Sequence, residues 1–243
     1  MNQSIKLEIA ANSLASALAA QDGGADRIEL CSALEVGGLT PSHGLIALIR
    51  DRLRIPIYVL IRPRAGDFVY NESEFETMRR DIEACVTLGC DGVVIGALDV
   101  DRNVDSAHLR ELMRAAGTLG VTFHRAIDVS RDPSATLEDI IALGCERVLT
   151  SGAASSAPRG ALAIRKLVDQ AAHRIIVMPG AGVDASTVVA LRDQTGATEF
   201  HASARVVLPS RVRDATGVLV DMASGETRSS IDKVRALVAA LAS

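Results

Sequence analysis

The sequence predicts a single α/β domain folded as a TIM barrel, and two observations predict it. A unit recurs along the chain: a short apolar strand, a polar loop, an amphipathic helix and then a glycine. Gly24, Gly89, Gly144 and Gly196 stand where a helix end favours a left-handed residue. About eight such units in 243 residues match the number and length typical of a (β/α)8 barrel. A doubly wound sheet is the second possibility, but it needs fewer strands at this length.

The apolar runs and the residues between them predict the elements in order. Strands are expected at residues 6–9, 27–30, 57–61, 92–95, 121–124, 147–150, 175–178 and 199–201. Helices are expected at residues 13–21, 42–51, 72–88, 106–116, 133–143, 157–172, 185–194 and 231–241. Asp132 and Pro133 suit the cap and the first turn of the fifth helix.

One segment interrupts the pattern, although residues 1–243 are expected to form one domain. Near residues 205–230 the chain shows no repeat unit, which is long for a loop in a compact domain. Residues 217–220 could add a short strand there. A lid, an oligomer contact and a disordered excursion remain open for this segment.

The composition argues against several classes of partner. Hydrophobic residues make up 48% of the chain, aromatic residues only 2%, and tryptophan is missing. Few aromatics and a net charge of −4 argue against a nucleic-acid partner. No apolar run is long enough for a membrane span and no signal peptide is evident, so we expect a cytoplasmic protein without a membrane partner. The four cysteines form no C-x-x-C pair and are expected to be reduced.

Strand alternation predicts a polar surface inside the barrel, near its mouth. Apolar neighbours facing the helices leave Glu8, Glu29, Arg62, His124 and His201 pointing inward. These residues are candidates for catalysis, with Arg62 beside Glu8 or Glu29 and His124 titrating near neutrality. The alternative is a buried Glu–Arg network that only holds the strands in register, or a buried histidine bonded to a carbonyl.

The loops that follow the strands extend this polar surface. Small and polar residues there suggest binding of a small polar ligand, and glycines in the loops after the seventh strand would let backbone N–H groups approach an anion. The ligand-binding candidates are Arg64, Arg125, Asp128, Ser151, Gly180 and Gly182.

Several stretches together carry a resemblance to a known family. They are GGADRIELCSALEVGGLTPSHG (23–44), IRPRAGDFVY (61–70), TFHRAIDVSRDP (122–133), LTSGAASSA (149–157), MPGAGV (178–183) and EFHASAR (199–205). The chain thereby resembles the CutC family, named for copper homeostasis. The resemblance implies a cytosolic TIM barrel, a homo-oligomer and a link to copper. Ala153 and Ala181 stand where the family is more glycine-rich.

The cysteine positions decide how copper could bind. Cu(I) prefers thiolate and thioether ligands, and Cys31 alone among the cysteines reaches the predicted mouth. Cys31 is therefore the candidate metal ligand, with Met178 as a conceivable second one, and copper is the one cofactor considered. Two functions remain open: a copper-binding protein of copper homeostasis, and a metal-independent enzyme acting on a small anionic or polyhydroxylated metabolite.

Overall fold

The computed structural model describes residues 5–209 and 226–242, and it shows the barrel that the repeat unit predicts. Eight parallel strands are hydrogen-bonded in the order β7-β6-β5-β4-β3-β2-β1-β8. The strands are β1 Lys6–Ala11, β2 Arg27–Leu30, β3 Ile57–Leu60, β4 Gly92–Ile95, β5 Gly120–Phe123, β6 Arg147–Thr150, β7 Ile176–Pro179 and β8 Glu199–Ala202. From β1 to β7, neighbours in sequence are neighbours in the sheet, and β8 pairs with β1, which confirms the TIM barrel and excludes the doubly wound alternative.

Helices alternate with the strands and cover the outside of the sheet. They are α1 Leu14–Gly23, α2 His43–Arg50, α3 Glu72–Thr87, α4 Ser106–Ala116, α5 Pro133–Leu143, α6 Ala161–Ala171, α7 Val188–Thr195 and α8 Ile231–Leu241. Asp132 caps α5 and Pro133 opens it, as the sequence predicts. Helix α6 begins four residues later than expected, because the chain first packs Gly160 against the backbone of Ser151 and Gly152. Among the described residues, no helix has the length and apolar composition to cross a bilayer.

Two further strands form a hairpin at the end of the barrel. β9 (Arg205–Leu208) and β10 (Glu226–Ser229) pair antiparallel, so both ends of the segment near residues 205–230 are regular. Ser229 ties β10 to the barrel, since its Oγ donates to Ala10 O at 3.2 Å and its N–H donates to Ser16 Oγ at 3.1 Å. The possible strand at residues 217–220 lies outside the described residues.

Side-chain parity separates the two layers of the core. On β3, Ile57 and Val59 belong to the large cluster packed between the strands and the helices. Tyr58 and Leu60, of the opposite parity, pack in a small separate cluster with Cys31 and other residues inside the barrel. The barrel interior is therefore filled in part by apolar side chains, and the polar groups below occupy the rest.

Candidate functional site

A layer of paired charges lies inside the barrel. Arg27 of β2 donates to Glu8 and, at 2.6 Å, to Glu199, while Arg147 of β6 donates to Glu199 at 2.7 Å. Both guanidinium groups also lie over the ring of Tyr58, 5.4–5.5 Å from its centroid. Two arginines thus compensate two buried carboxylates, which is the arrangement that buried charges require.

This layer corrects the pairing that we expected for Arg62. Sequence reasoning placed Arg62 beside Glu8 or Glu29, whereas Arg27 is the partner of Glu8. Arg62 donates instead to three loop carbonyls, Val36 O at 2.8 Å, Gly38 O at 3.0 Å and Gly66 O at 2.8 Å. Arg27 shares the inward parity of Glu29 on β2, so alternation could have identified it.

His201 lies between two glutamates just beyond the charged layer. Its Nδ1 lies 2.7 Å from Glu8 Oε1, and its Nε2 lies 3.8 Å from Glu29 Oε2. Burial opposes the charge on Glu8, but Arg27 and the His201 hydrogen bond outweigh it and lower the pKa of Glu8 to about 2. Glu8 therefore stays ionised and accepts the Nδ1 proton of His201.

Glu29 behaves differently from Glu8, although both are buried. Burial raises the pKa of Glu29 to about 7, with the positive His201 acting against the rise and the negative Glu8 adding to it. Burial lowers the pKa of His201, but Glu29 and Glu8 more than offset this and leave the pKa raised. Glu29 therefore titrates near neutral pH, and His201 holds its proton more tightly than a free histidine does.

His124 differs from the expectation of titration near neutrality. Burial first, and then the positive charge of Arg62, lower the pKa of His124 to about 3, so the ring is neutral at pH 7. Its Nδ1 accepts the N–H of Ala126 at 3.2 Å, which leaves the proton on Nε2. That Nε2 finds no partner among the described residues, and neither does Arg62 Nε. As a neutral ring, His124 can donate a hydrogen bond but is a poor general acid.

A cavity of about 950 Å³ opens at the C-terminal ends of the strands, where TIM barrels carry their sites. Seven of the candidate residues line it. They are Glu29, Arg62, His124, Arg125, Asp128, Gly182 and His201. Glu8 lies beneath the cavity, in contact with His201, and reaches it only through that residue. Arg205 and Lys233 also line the cavity and were missed, because parity was read only on the eight barrel strands, whereas Arg205 begins β9 and Lys233 lies in the first turn of α8.

The loop candidates after β5 and β6 hold each other in place. Asp128 accepts from Thr150 Oγ1 at 2.6 Å, from the N–H of Ser151 at 3.0 Å and from that of Ala153 at 3.0 Å. Arg125 donates to Asp128 at 2.8 Å and to Ser151 Oγ at 2.9 Å. These contacts shape the wall of the cavity, and Ser151 itself is buried behind it.

The remaining candidates lie behind or beside the cavity. Arg64 pairs with Glu74 at 2.6 Å and with Asp67 at 3.0 Å, away from the cavity lining. Gly180 packs closely, because a Cβ there would lie 2.5 Å from Leu149 Cδ1 and 3.2 Å from His201 Cβ. That close approach also brings the end of β7 against β8 and nearly closes the barrel.

Among the described residues, one group of side chains and one single cysteine are candidates for holding a metal ion. Ligand atoms of Glu8, Glu29 and His201 lie within 4.8 Å of one another. Imidazole and carboxylate ligands suit Cu(II) or Zn(II), whereas Cu(I) prefers thiolate. Cys31 is fully buried with its Sγ 3.8 Å from Ala11 O, and burial followed by the charge of Glu29 raises the pKa of its thiol well above the usual value.

Met178, the other conceivable soft ligand, is already engaged. Its sulfur accepts a hydrogen bond from Arg27 at 3.1 Å within the charged layer. A metal ion at Met178 would have to displace that bond and sit beside a guanidinium charge. The structure thus supplies an oxygen and nitrogen ligand set at the cavity, whereas Cys31, two residues after Glu29, is fully buried and does not line the cavity as expected.

Comparisons with known proteins agree on one family. A model described as the CutC family matches residues 5–206. A family protein CutC of Xylella fastidiosa strain Temecula1 is 61% identical over 238 residues, covering 98% of this chain and 89% of its own length. The human copper homeostasis protein cutC homolog is 48% identical over 199 residues, covering 82% of this chain and 73% of its own length.

A solved structure supports the same assignment. The crystal structure of a Streptococcus agalactiae protein, named as a copper homeostasis protein CutC, superposes with a TM-score of 0.78. It is 34% identical in sequence, and the match covers 81% of this chain and 97% of that one. The human and S. agalactiae names refer to copper homeostasis and not to turnover of a metabolite. With its barrel, its motifs and these relatives in agreement, the chain belongs to the CutC family.

Proposed function

We propose that the protein serves copper homeostasis by binding a divalent copper ion at the barrel mouth, with Glu29 and His201 as ligands. The observation that carries the proposal is the cluster of Glu8, Glu29 and His201, whose ligand atoms lie within 4.8 Å of one another. Glu29 and His201 both line the cavity, so an ion from solvent can reach them. Copper is chosen as the metal because the names of the relatives refer to copper homeostasis.

Glu8 positions His201 for this role. Its carboxylate holds the Nδ1 proton at 2.7 Å, which leaves Nε2 as the ligand nitrogen on the side of Glu29. A carboxylate behind a ligating histidine fixes the tautomer and the ring orientation and increases ligand basicity. Copper binding displaces the protons of Glu29 and His201, so uptake of the ion releases protons.

Cys31 is the proposed ligand for copper in its reduced form. The thiol lies within the electrostatic influence of Glu29, and thiolate is the ligand type that Cu(I) prefers. Burial opposes the thiolate, so the bound ion itself has to compensate the negative charge. A cytoplasmic location and a homo-oligomer, both implied by the family, belong to this proposal.

A titration with Cu(II) tests the proposal. Calorimetry on the full chain should give one equivalent of tight binding, lost in His201→Gln and in Glu29→Gln. His43→Gln is the matched control, since His43 is an exposed histidine outside the cavity. Two other buried cysteines are close in the chain, since the N–H of Cys90 donates to the carbonyl oxygen of Cys85 in α3 at 3.0 Å. Stoichiometric binding that survives in His201→Gln and Glu29→Gln but disappears in Cys85→Ser would place the site at these thiols and overturn the proposal.

A further inference from the structure

The loop after β7 presents unused hydrogen-bond donors to the cavity. Ala181 and Gly182 line the cavity and have φ angles of 76° and 70°, in the left-handed region. Their N–H groups and that of Val183 find no acceptor within the described part of the chain. The loop is fixed in this shape, because Ala181 O accepts the N–H of Ala157 at 2.8 Å. Consecutive free N–H groups in such a turn form a concave anion site.

Two cations line the cavity near the start of α8. Lys233 stands in the first turn of α8 and donates to Arg205 O at 2.7 Å, while Arg205 Nε donates to Ser203 Oγ at 3.1 Å. Neither cation forms an ion pair with a carboxylate of residues 5–209 or 226–242. The helix N-terminus itself adds a partial positive charge at Lys233.

In the described parts of the loops after β7 and β8, Asp184 is the one acidic residue that lines the cavity, and it accepts its hydrogen bonds from its own turn. Asp184 accepts from the N–H and Oγ of Ser186 at 2.8 and 2.6 Å, and from the N–H of Thr187 at 3.1 Å. Its carboxylate is therefore held by donors of its own turn and does not pair with Arg205 or Lys233. The positive character of Arg205, Lys233 and the free N–H groups remains available to a ligand.

An independent observation points to a ligand with hydrogen-bond acceptors. His124 Nε2 and Arg62 Nε are buried donors without an acceptor among the described residues, and both side chains line the same cavity. His124 is 5% exposed and Arg62 6% exposed. Both side chains also pack on the ring of Phe68. Buried donors are almost always paired, and an acceptor from a ligand would pair them.

We propose that the cavity binds a small phosphate monoester. The N–H groups of Ala181–Val183, together with Arg205 and Lys233, hold the phosphate, as the loops after the seventh and eighth strands of a barrel are suited to do. The rest of the ligand carries hydroxyl or carboxylate oxygens, and these accept hydrogen bonds from His124 Nε2 and Arg62 Nε. The cavity of about 950 Å³ lies within the range of small-molecule pockets.

This proposal goes beyond copper binding and does not depend on it. The phosphate would contact the loops after β7 and β8, whereas the copper ligands are Glu29 and His201. Its test is therefore made on protein kept free of metal by a chelator, so that failure of either proposal leaves the other standing.

Calorimetric titration of the full chain with glycerol 1-phosphate, inorganic phosphate, malonate and glycerol tests the site. Glycerol 1-phosphate and phosphate should bind saturably, and glycerol should not. Lys233→Gln and Arg205→Gln should each weaken glycerol 1-phosphate binding about tenfold, as expected for a charge-assisted contact. Lys166→Gln is the matched control, because Lys166 is exposed on α6 and outside the cavity.

Three outcomes would overturn the proposal. The first is no saturable binding of either phosphate compound. The second is an equal loss in Lys166→Gln and Lys233→Gln, which would indicate attraction to net charge alone. The third is malonate binding as tightly as phosphate, which would remove the phosphate assignment. Circular dichroism of Lys233→Gln and Arg205→Gln confirms that the compared proteins are folded.

Discussion

Glu8 and His201 stand opposite each other on the neighbouring strands β1 and β8, and Glu8 Oε1 accepts the His201 Nδ1 hydrogen bond at 2.7 Å. This contact links the buried charged layer below to the cavity above. On its lower side Glu8 is paired with Arg27, and on its upper side His201 presents Nε2 towards Glu29. The barrel's internal ion pairs thereby orient a histidine at the mouth.

The charged layer should contribute strongly to stability. Arg27→Met leaves Glu8 and Glu199 short of a buried partner, and breaking a buried pair in this way destabilises proteins by about 3–5 kcal/mol. Arg174→Met is the control, because the Arg174–Glu138 pair is exposed and its loss should change stability far less than the loss of a buried pair. Urea unfolding measures both, and equal losses would show that the layer is not a stabilising network.

Arg62 should act mainly on the fold of its loops. Arg62→Lys removes donors to the carbonyls of Val36, Gly38 and Gly66, and we expect a loss of about 1.5–3 kcal/mol in unfolding free energy. Arg64→Lys, at a partly exposed arginine outside the cavity, should lose less than about 1 kcal/mol. A stable Arg62→Lys protein would show that these carbonyl contacts are weak.

Glu29 should make stability depend on pH. The folded state raises the pKa of Glu29 from 4.5 to about 7 and so binds the proton more tightly than the unfolded chain does. This contribution is fully present below about pH 4.5 and is lost as the pH rises through about 7. The raised pKa of His201 acts in the same direction.

Urea unfolding of metal-free protein at pH 5 and pH 8 measures this effect. The stability of the wild type should fall between these pH values, and that of Glu29→Gln should fall less, because glutamine carries no charge. Glu8 stays ionised throughout this range, since its pKa is lowered to about 2. Parallel pH curves for the wild type and Glu29→Gln would contradict the raised pKa.

Cys31 should decide the binding of reduced copper. Cys31→Ser should abolish stoichiometric Cu(I) binding, because serine offers no soft ligand. Cys145→Ser is the control, since Cys145 is also buried but lies between α5 and β6. A competition assay with a Cu(I) chelator gives both affinities. A Cys31→Ser protein that binds Cu(I) as tightly as the wild type would place reduced copper elsewhere.

The fold could be predicted because its signals are local. The strands of residues 27–30, 92–95 and 147–150 and the helices of residues 106–116, 133–143 and 231–241 were predicted with the bounds that the structure shows. Strand parity also placed Glu8, Glu29 and His201 on one surface. Local pattern could not show which charges pair, because Arg27 and Glu199 are 172 residues apart.

The chemistry of the site was harder to predict than its location. The neutral state of His124 results from its burial beside Arg62, and that burial depends on side chains from distant segments, such as Phe68. Arg205 and Lys233 join the site through the hairpin β9–β10 and the start of α8, which come together only in three dimensions. Residue types and parity cannot encode such contacts between distant segments.

Electron paramagnetic resonance of the Cu(II)-loaded protein at pH 8 tests the central claim most directly. The wild type should show one equivalent of Cu(II) with a single imidazole nitrogen and oxygen ligands, because His201 and Glu29 supply that set. His201→Gln should lose the nitrogen coupling, while His43→Gln should keep it. The same nitrogen-coupled spectrum in His201→Gln as in the wild type would contradict copper binding at the barrel mouth.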